Sequence, residues 1–131
     1  MLLPVDVSEV VKRAGVDLLV LFGSRARGEE RRDSDWDLAY RVGKDARESF
    51  DPDALLADLV GALGSDRIDL VDLSRGSALL RFRVAAEGKP VYQAAPDAFR
   101  EFQLEAVRFW CDVAPVLETS YSDVLAGLGD S

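Results

Sequence analysis

The chain has 131 residues, 48% of them hydrophobic, which is enough for one buried core but too few for two ordinary domains, so we expect a single domain over residues 1–131. Sixteen Lys and Arg against 24 Asp and Glu give a formal charge of −8. This charge repels a phosphate backbone and argues against stable nucleic-acid binding. A single cysteine excludes an internal disulfide, and without histidine a zinc site lacks its usual ligands, so any metal must be held by oxygen.

The longest apolar stretches, at 16–22 and 55–63, fall well short of the roughly 20 residues that a membrane span needs. The first residues lack the basic start and long apolar core of a signal peptide. We therefore expect no membrane association and a cytoplasmic location.

The first half of the chain predicts two helices, one of them short, and two strands. Apolar residues at 10, 11 and 14 indicate a helix over 6–14, which Gly15 would end in the left-handed conformation. The nearly continuous apolar run 17–22, closed by Gly23, is typical of a strand buried on both faces. Residues 24–34 would form a tight turn, a short helix and a polar loop. The imperfect alternation over 35–42 predicts a second strand, followed by a charged loop over 43–50.

The second half predicts three helices and two strands. Asp51 and Pro52 are a strong helix start, and a leucine-rich stripe continues to Gly64. Residues 67–72 and 89–93 are strand candidates on either side of a helix over 77–87. A long helix rich in aromatic residues should occupy about 96–118, with Cys111 buried on it and a frayed tail over about 119–131. The predicted class is α/β or α+β, a small mixed β-sheet with flanking helices.

Three carboxylates form the most informative pattern. Asp35 and Asp37 are two residues apart on a predicted strand, so they point to one face about 6.6 Å apart at roughly 3.3 Å per residue. Two converging carboxylates repel each other unless divalent cations lie between them, and oxygen ligands alone favour Mg²⁺ or Mn²⁺. Asp69 on the next strand would complete a site for two metals about 4 Å apart, which can clamp both the attacking and the leaving oxygen in phosphoryl or nucleotidyl transfer.

A glycine and a serine precede this pattern, where the first strand gives way to the short helix. Backbone N–H groups at Gly23 and Ser24, together with the serine hydroxyl, can face a phosphate there. Arg25 and Arg27 would add positive charge. The sequence contains neither the lysine-bearing P-loop motif nor the G-x-G-x-x-G dinucleotide motif. P-loop kinase and Rossmann interpretations are therefore disfavoured.

Several segments together resemble a known family. Gly23-Ser-Arg-Ala-Arg-Gly28 with Ser34-Asp-Trp-Asp-Leu38 resembles the signature of the minimal nucleotidyltransferases, a branch of the DNA polymerase β-type superfamily. Arg67-Ile-Asp-Leu-Val-Asp-Leu73 is similar to the family's third motif. The likeness covers roughly residues 8–120 and implies a polymerase β-like nucleotidyltransferase fold. The compact size and the long C-terminal helix are similar to antitoxins paired with HEPN-domain RNase toxins, which implies a HEPN toxin as partner and AMP transfer from ATP to a toxin tyrosine.

The resemblance also implies a role for each matched residue. The glycine–serine turn would hold the triphosphate, Asp35 and Asp37 would ligate the metals, and Asp69 would join one metal and help to deprotonate the acceptor hydroxyl. Asp72 is the rival for the third carboxylate, but in a strand it points to the opposite face from Asp69.

Two other functions fit the same residues. The enzyme could act on a small hydroxylated molecule, as aminoglycoside-modifying relatives do, although those generally carry an added domain. A degenerate domain could instead neutralise its partner by binding alone. The binding-only hypothesis predicts that protection survives when Asp35 and Asp37 are both replaced by Asn.

Overall fold

Four α-helices and four strands make up the described part of the chain. The computed structural model describes residues 2–29 and 34–129, with side chains up to residue 113. The elements in chain order are α1 (Ser8–Arg13), β1 (Val16–Phe22), β2 (Trp36–Val42), a 3₁₀ turn (Lys44–Ala46), α2 (Pro52–Leu63), β3 (Ile68–Asp72), α3 (Ala78–Glu87), β4 (Lys89–Gln93) and α4 (Ala98–Gly129). The predicted order is confirmed except at one place: the short helix expected after β1 is a turn at residues 24–28. The 3₁₀ turn is an addition inside the predicted charged loop.

The four strands form one mixed sheet in the order β3-β2-β1-β4. Strand β1 pairs antiparallel with β2 and with β4, whereas β2 and β3 are parallel. A parallel pair needs a crossover connection, and α2 provides it. The register of the parallel pair places Asp37 opposite Asp69 and Tyr40 opposite Asp72. The end of β1 and the starts of β2 and β3 therefore lie at the same end of the sheet.

The crossover helix α2 begins and ends at the predicted residues. The Asp51 side chain accepts hydrogen bonds from the N–H groups of Asp53 and Ala54 at 3.0 and 3.3 Å, which caps the first turn. Gly64 ends the helix with a φ of +67°, in the left-handed region that suits glycine. These two residues fix the length of the connection between β2 and β3.

The sheet is buried on both faces. On one face, Leu19 and Leu38 form a buried cluster with Val11 of α1 and Leu59 of α2. On the other face, a second cluster joins the alternate residues of β1 and β2 to α3 and α4; it contains Leu18, Val20, Ala39, Val84, Ala85 and Phe102. The prediction that β1 is buried on both faces is confirmed, because its side chains alternate between the two clusters. Within the described residues, no helix combines the length and apolarity that a bilayer crossing requires.

The last helix differs from the sequence prediction. Helix α4 continues to Gly129, beyond the end predicted near residue 118, so the predicted frayed tail is helical as far as that residue. An established helix extends more easily than a new one starts, because each added residue gains a hydrogen bond without a new nucleation cost. Residues 130–131 lie outside the described part of the chain. Cys111 is exposed, not buried, because it continues the exposed side of α4 marked by Leu104 and Val107.

Candidate functional site

A glycine shapes the turn that follows β1. Gly23 has a φ of +74°, in the left-handed region that L side chains rarely adopt. A Cβ at this position would overlap Oδ2 of Asp37 and lie 3.0 Å from its Cγ. The Gly23 carbonyl accepts hydrogen bonds from the N–H groups of Ala26 and Arg27 at 3.1 and 3.2 Å, which closes one helical turn. The missing side chain therefore allows this turn and the Asp37 carboxylate to lie against each other.

The structure brings the three predicted carboxylates to one end of the sheet. Asp35 immediately precedes β2, Asp37 is the second residue of β2, and Asp69 is the second residue of β3. Asp37 lies opposite Phe22, where β1 ends, and opposite Asp69 in the parallel pair. Because Asp37 shares its face with Ala39, the acidic group opens on the side of the sheet that α3 and α4 cover.

Asp37 is affected by the charge of both other carboxylates. Burial raises the pKa of Asp37 above its ordinary value, and the carboxylates of Asp69 and Asp35 raise it further. Arg27 has a smaller effect in the opposite direction. Negative charge is thus concentrated at a partly buried point, where a bound cation would relieve the repulsion.

Asp72, the alternative third carboxylate, lies elsewhere. It pairs in register with Tyr40, whose side chain belongs to the cluster beneath α1 and α2. Its Oδ1 accepts hydrogen bonds from the N–H and the hydroxyl of Ser74 at 2.9 and 2.6 Å, which stabilise the turn after β3. Side-chain alternation thus correctly indicated Asp69 as the neighbour of Asp37, while the catalytic role of Asp69 stays a prediction.

Arg25, predicted to contact the nucleotide, makes contacts within the protein. Its Nε and Nη2 donate to the carbonyl oxygen of Ser34 at 3.2 and 2.8 Å, and its Cζ lies 3.8 Å from the centroid of the Trp36 ring. The guanidinium therefore links the turn after β1 to the segment that enters β2. A contact of Arg25 with nucleotide stays a prediction.

Arg27 connects the same turn to helix α3. It forms ion pairs with Glu29 at 3.0 Å and with Glu87 at 3.1 Å, and its side chain is 41% exposed. Exposed pairs of this kind stabilise the fold little, because solvent and salt screen the two charges. Glu87, the last residue of α3, was not a sequence candidate. It lies 60 positions from Arg27, and no local motif signals such a pair.

The donor set fits a hard divalent cation. Asp35, Asp37 and Asp69 supply carboxylate oxygens, which are the ligands that Mg²⁺ prefers. Within the described residues, no three acidic or sulfur side chains already converge on one point as a closed metal cluster. Asp35 and Asp69 are both exposed, so a rotation of these two side chains toward a cation would meet little packing resistance. Burial and the two neighbouring carboxylates raise the pKa of Asp37 more than Arg27 lowers it, so a cation bound at this group would be favourable.

Two chemical functions thus lie side by side at this end of the sheet. The first turn of a helical segment leaves N–H groups without a carbonyl partner within the turn, and such groups bind phosphate oxygens. The acidic group beside the turn can hold cations that neutralise phosphate charge. Gly23 brings the two within contact distance of each other. This arrangement is suited to an enzyme that transfers a phosphoryl or nucleotidyl group.

The comparison with protein families agrees with the geometry. The family model described as polymerase beta, nucleotidyltransferase, matches residues 6–97, so the chain belongs to this family. The resemblance stated from the sequence motifs is therefore confirmed, and so is the predicted fold class. The matched residues include the turn at Gly23 and all three carboxylates.

The chain is also similar in sequence to two proteins named protein adenylyltransferase. The chain is 33% identical over 115 residues to the protein adenylyltransferase MntA of Aphanizomenon flos-aquae, covering 82% of this chain and 77% of that protein. It is 35% identical over 82 residues to the protein adenylyltransferase MntA of Shewanella oneidensis, covering 63% of this chain and 58% of that protein. Both relatives are enzymes that transfer an adenylyl group to protein.

Solved structures share the architecture. A crystal structure of a toxin–antitoxin complex with AMP-PNP matches at a TM-score of 0.73 and 25% identity, covering 92% of this chain and 96% of that chain. A re-refined structure of a tri-AMPylated Shewanella oneidensis HEPN toxin in complex with an MNT antitoxin matches at a TM-score of 0.64 and 24% identity, covering 89% and 91%. The second likeness supports the fold alone.

Proposed function

We propose that this protein is an antitoxin enzyme that transfers AMP from ATP to a tyrosine hydroxyl of a cognate HEPN-domain RNase toxin and thereby silences it. The family makes the chain a nucleotidyltransferase. Two relatives named protein adenylyltransferase support an adenylyl donor and a protein acceptor. A structural neighbour, a toxin–antitoxin complex with AMP-PNP, supports ATP as the donor and a toxin as the partner. A requirement for ATP also supports a cytoplasmic location.

The observation that carries the proposal is the parallel pairing of β2 and β3. It places Asp69 directly beside Asp37. Asp35 lies two residues before Asp37 and is close enough for its charge to raise the pKa of Asp37. The Gly23 turn lies against this group. A stable toxin complex would then bring the acceptor hydroxyl to this group of carboxylates.

Each residue has one task in the proposed reaction. The tyrosine oxygen attacks the α-phosphorus of ATP, the bond from that phosphorus to the oxygen bridging to the β-phosphorus breaks, and pyrophosphate leaves. The N–H groups at Gly23 and Ser24 bind the departing phosphates and hold them in line. Asp69 accepts the proton of the acceptor hydroxyl. Asp35 and Asp37, together with Asp69, would hold two Mg²⁺ ions, which supply charge neutralisation at the reacting oxygens.

The proposal is tested by label transfer. The purified protein is incubated with α-³²P-labelled ATP and Mg²⁺, with and without a HEPN-domain protein as the candidate toxin. The double variant Asp35→Asn/Asp37→Asn removes two carboxylates of the site. Asp58→Asn is the matched control, because Asp58 is an exposed carboxylate on α2 outside the site.

We expect label on the toxin with the wild type and with Asp58→Asn, and none with the double variant. Replacing the labelled toxin tyrosine by phenylalanine should abolish the signal. Protection of cells by the double variant at wild-type level would refute catalysis and establish inhibition by binding alone. Label on an aminoglycoside without any protein acceptor would establish the small-molecule alternative instead.

A further inference from the structure

A cavity of about 730 Å³ lies at the end of the sheet opposite the three carboxylates. Its floor is formed where β2 and β3 finish, at Arg41 and Leu73, and α4 contributes Phe102 from above. Arg41 is four residues beyond Asp37 on β2, about 13 Å away at roughly 3.3 Å per residue. The cavity is therefore separate from the candidate catalytic group. Its volume is within the range of small-ligand sites, about 300–1,000 Å³.

Four arginines line this cavity in a protein with a formal charge of −8. Arg41 is neutralised by Asp17 at 2.9 Å. Arg47 and Arg75 are exposed, and within the described residues neither has an ion pair or a side-chain hydrogen bond. Two guanidinium groups with unused donors thus face the same space.

The fourth arginine contains an unsatisfied buried donor. Arg81 donates from Nη2 to the carbonyl oxygen of Ser74 at 3.1 Å, and its Cζ lies 5.0 Å from the Phe109 ring centroid. Its Nε is buried and has no hydrogen-bond partner within the described residues. An unpaired buried donor is costly, and such an atom commonly indicates a missing water or ion. An anion in the cavity would place an acceptor next to this side chain.

The remaining lining is partly aromatic. Tyr40 and Phe50 form a ring pair with centroids 5.1 Å apart at one side of the cavity. Asp72 and Glu105 are the acidic members of the lining, and Asp72 already accepts two bonds from Ser74. Guanidinium groups beside an aromatic wall favour an organic anion over a bare inorganic one, because one part of the ligand is charged and the other apolar.

We propose that this cavity is a second ligand site that binds a small phosphate monoester carrying a planar ring, with the chemistry of a mononucleotide. Arg47 and Arg75 bind the phosphate, Arg81 completes the anion site from its helix, and the Tyr40–Phe50 pair contacts the ring. The site does not use Asp35, Asp37 or Asp69, so it does not depend on the proposed transfer reaction.

The test is a titration of the ¹⁵N-labelled wild-type chain in EDTA, followed by amide chemical shifts, with AMP, inorganic phosphate and adenosine as separate probes. We expect saturable shifts centred on Tyr40 and Ser74 with AMP, weaker binding with phosphate, and weakest binding with adenosine. Removing metal disfavours nucleotide binding at the carboxylate end, and the position of the shifts distinguishes the two sites.

Two exposed arginines give variants that should fold normally. Arg47→Ala and Arg75→Ala should each weaken AMP binding on the order of 10-fold, as expected for one lost bond to a charged group. Arg83→Ala is the matched control, because Arg83 is an exposed arginine on α3 outside the cavity lining. Undiminished affinity in both cavity variants would overturn the proposal. So would AMP shifts confined to the Gly23 turn, or adenosine binding as tight as AMP binding.

Discussion

Replacing Gly23 by alanine should separate activity from stability. The new Cβ would overlap Oδ2 of Asp37 and lie 3.0 and 3.2 Å from its Cγ and Cβ. The carboxylate is the movable end of a side chain, so the protein can fold by turning Asp37 away. That displacement removes it from the position facing Asp69. We expect AMP transfer to fall on the order of 100-fold, the scale of a misplacement of about 1 Å in a reacting group.

Gly28→Ala is the matched control. Gly28 has the same φ of +74°, but among the described residues no atom lies within 4 Å of the point that its Cβ would occupy. The left-handed conformation costs an alanine about 1–2 kcal/mol. A less flexible unfolded chain offsets about 0.4–1 kcal/mol of this. Both variants should therefore lose about 1 kcal/mol of unfolding free energy, with a fall in Tm of about 3–5 °C.

Both variants are compared by their Tm in thermal unfolding and by their initial rates of AMP transfer. Similar Tm values with a low rate only in Gly23→Ala are expected. Transfer of AMP at the wild-type rate by the folded Gly23→Ala protein would show that the contact between Gly23 and Asp37 does not control the reaction. An equal loss of activity in Gly28→Ala would attribute the effect to backbone conformation alone.

Three further predictions concern other residues. The folded-state pKa of Asp37 lies above its unfolded value, so the folded state binds more protons between the two values and stability falls as pH rises through that window. In EDTA at neutral pH, Asp37→Asn should therefore raise the Tm. Mg²⁺ should raise the Tm of the wild type but not that of the variant. Arg25→Ala breaks the link to Ser34 and Trp36 and should lower kcat more than it raises KM for ATP; a change in KM alone would instead place the guanidinium on the nucleotide. Ser77→Ala removes the hydroxyl that accepts a hydrogen bond from the Leu80 N–H at 3.1 Å and caps α3. The free energy of unfolding, measured by chemical denaturation, should fall by about 1 kcal/mol. A changed transfer rate would show that Ser77 is more than a helix cap.

Local patterns were sufficient to predict most of the fold. Asp51 with Pro52 and the terminal Gly64 set the limits of α2 because capping chemistry is encoded in adjacent residues. The end of α4 was misplaced because residues 119–126 contain no glycine or proline, and propensity alone does not fix a boundary. The 3₁₀ turn in the loop after β2 carried no distinct signal.

The site was predicted where spacing determines geometry. Strand periodicity predicted that Asp35 lies near Asp37, and the alternation of Asp69 and Asp72 predicted that Asp69 is the one that lies opposite Asp37. The catalytic role of these residues stays a prediction. The partners of the arginines could not be predicted in this way. Arg25 stacks on Trp36, and Arg27 reaches Glu87 from a distant helix, so both depend on tertiary packing.

Because β2 and β3 pair in a fixed parallel register, the length of the segment between α2 and β3 determines which residue of β3 lies opposite Asp37. Asp69 faces Asp37 only while the register between the two strands is kept. Because successive side chains alternate, a one-residue insertion between Gly64 and Ile68 that slides β3 by one position would turn Asp69 toward α1 and α2 and put an aliphatic neighbour in its place. An insertion in the loop before α2 leaves this pairing unchanged. We therefore expect homologues to vary in length between β2 and α2 but to keep a constant length between α2 and β3, because the second length sets the position of Asp69 relative to Asp37.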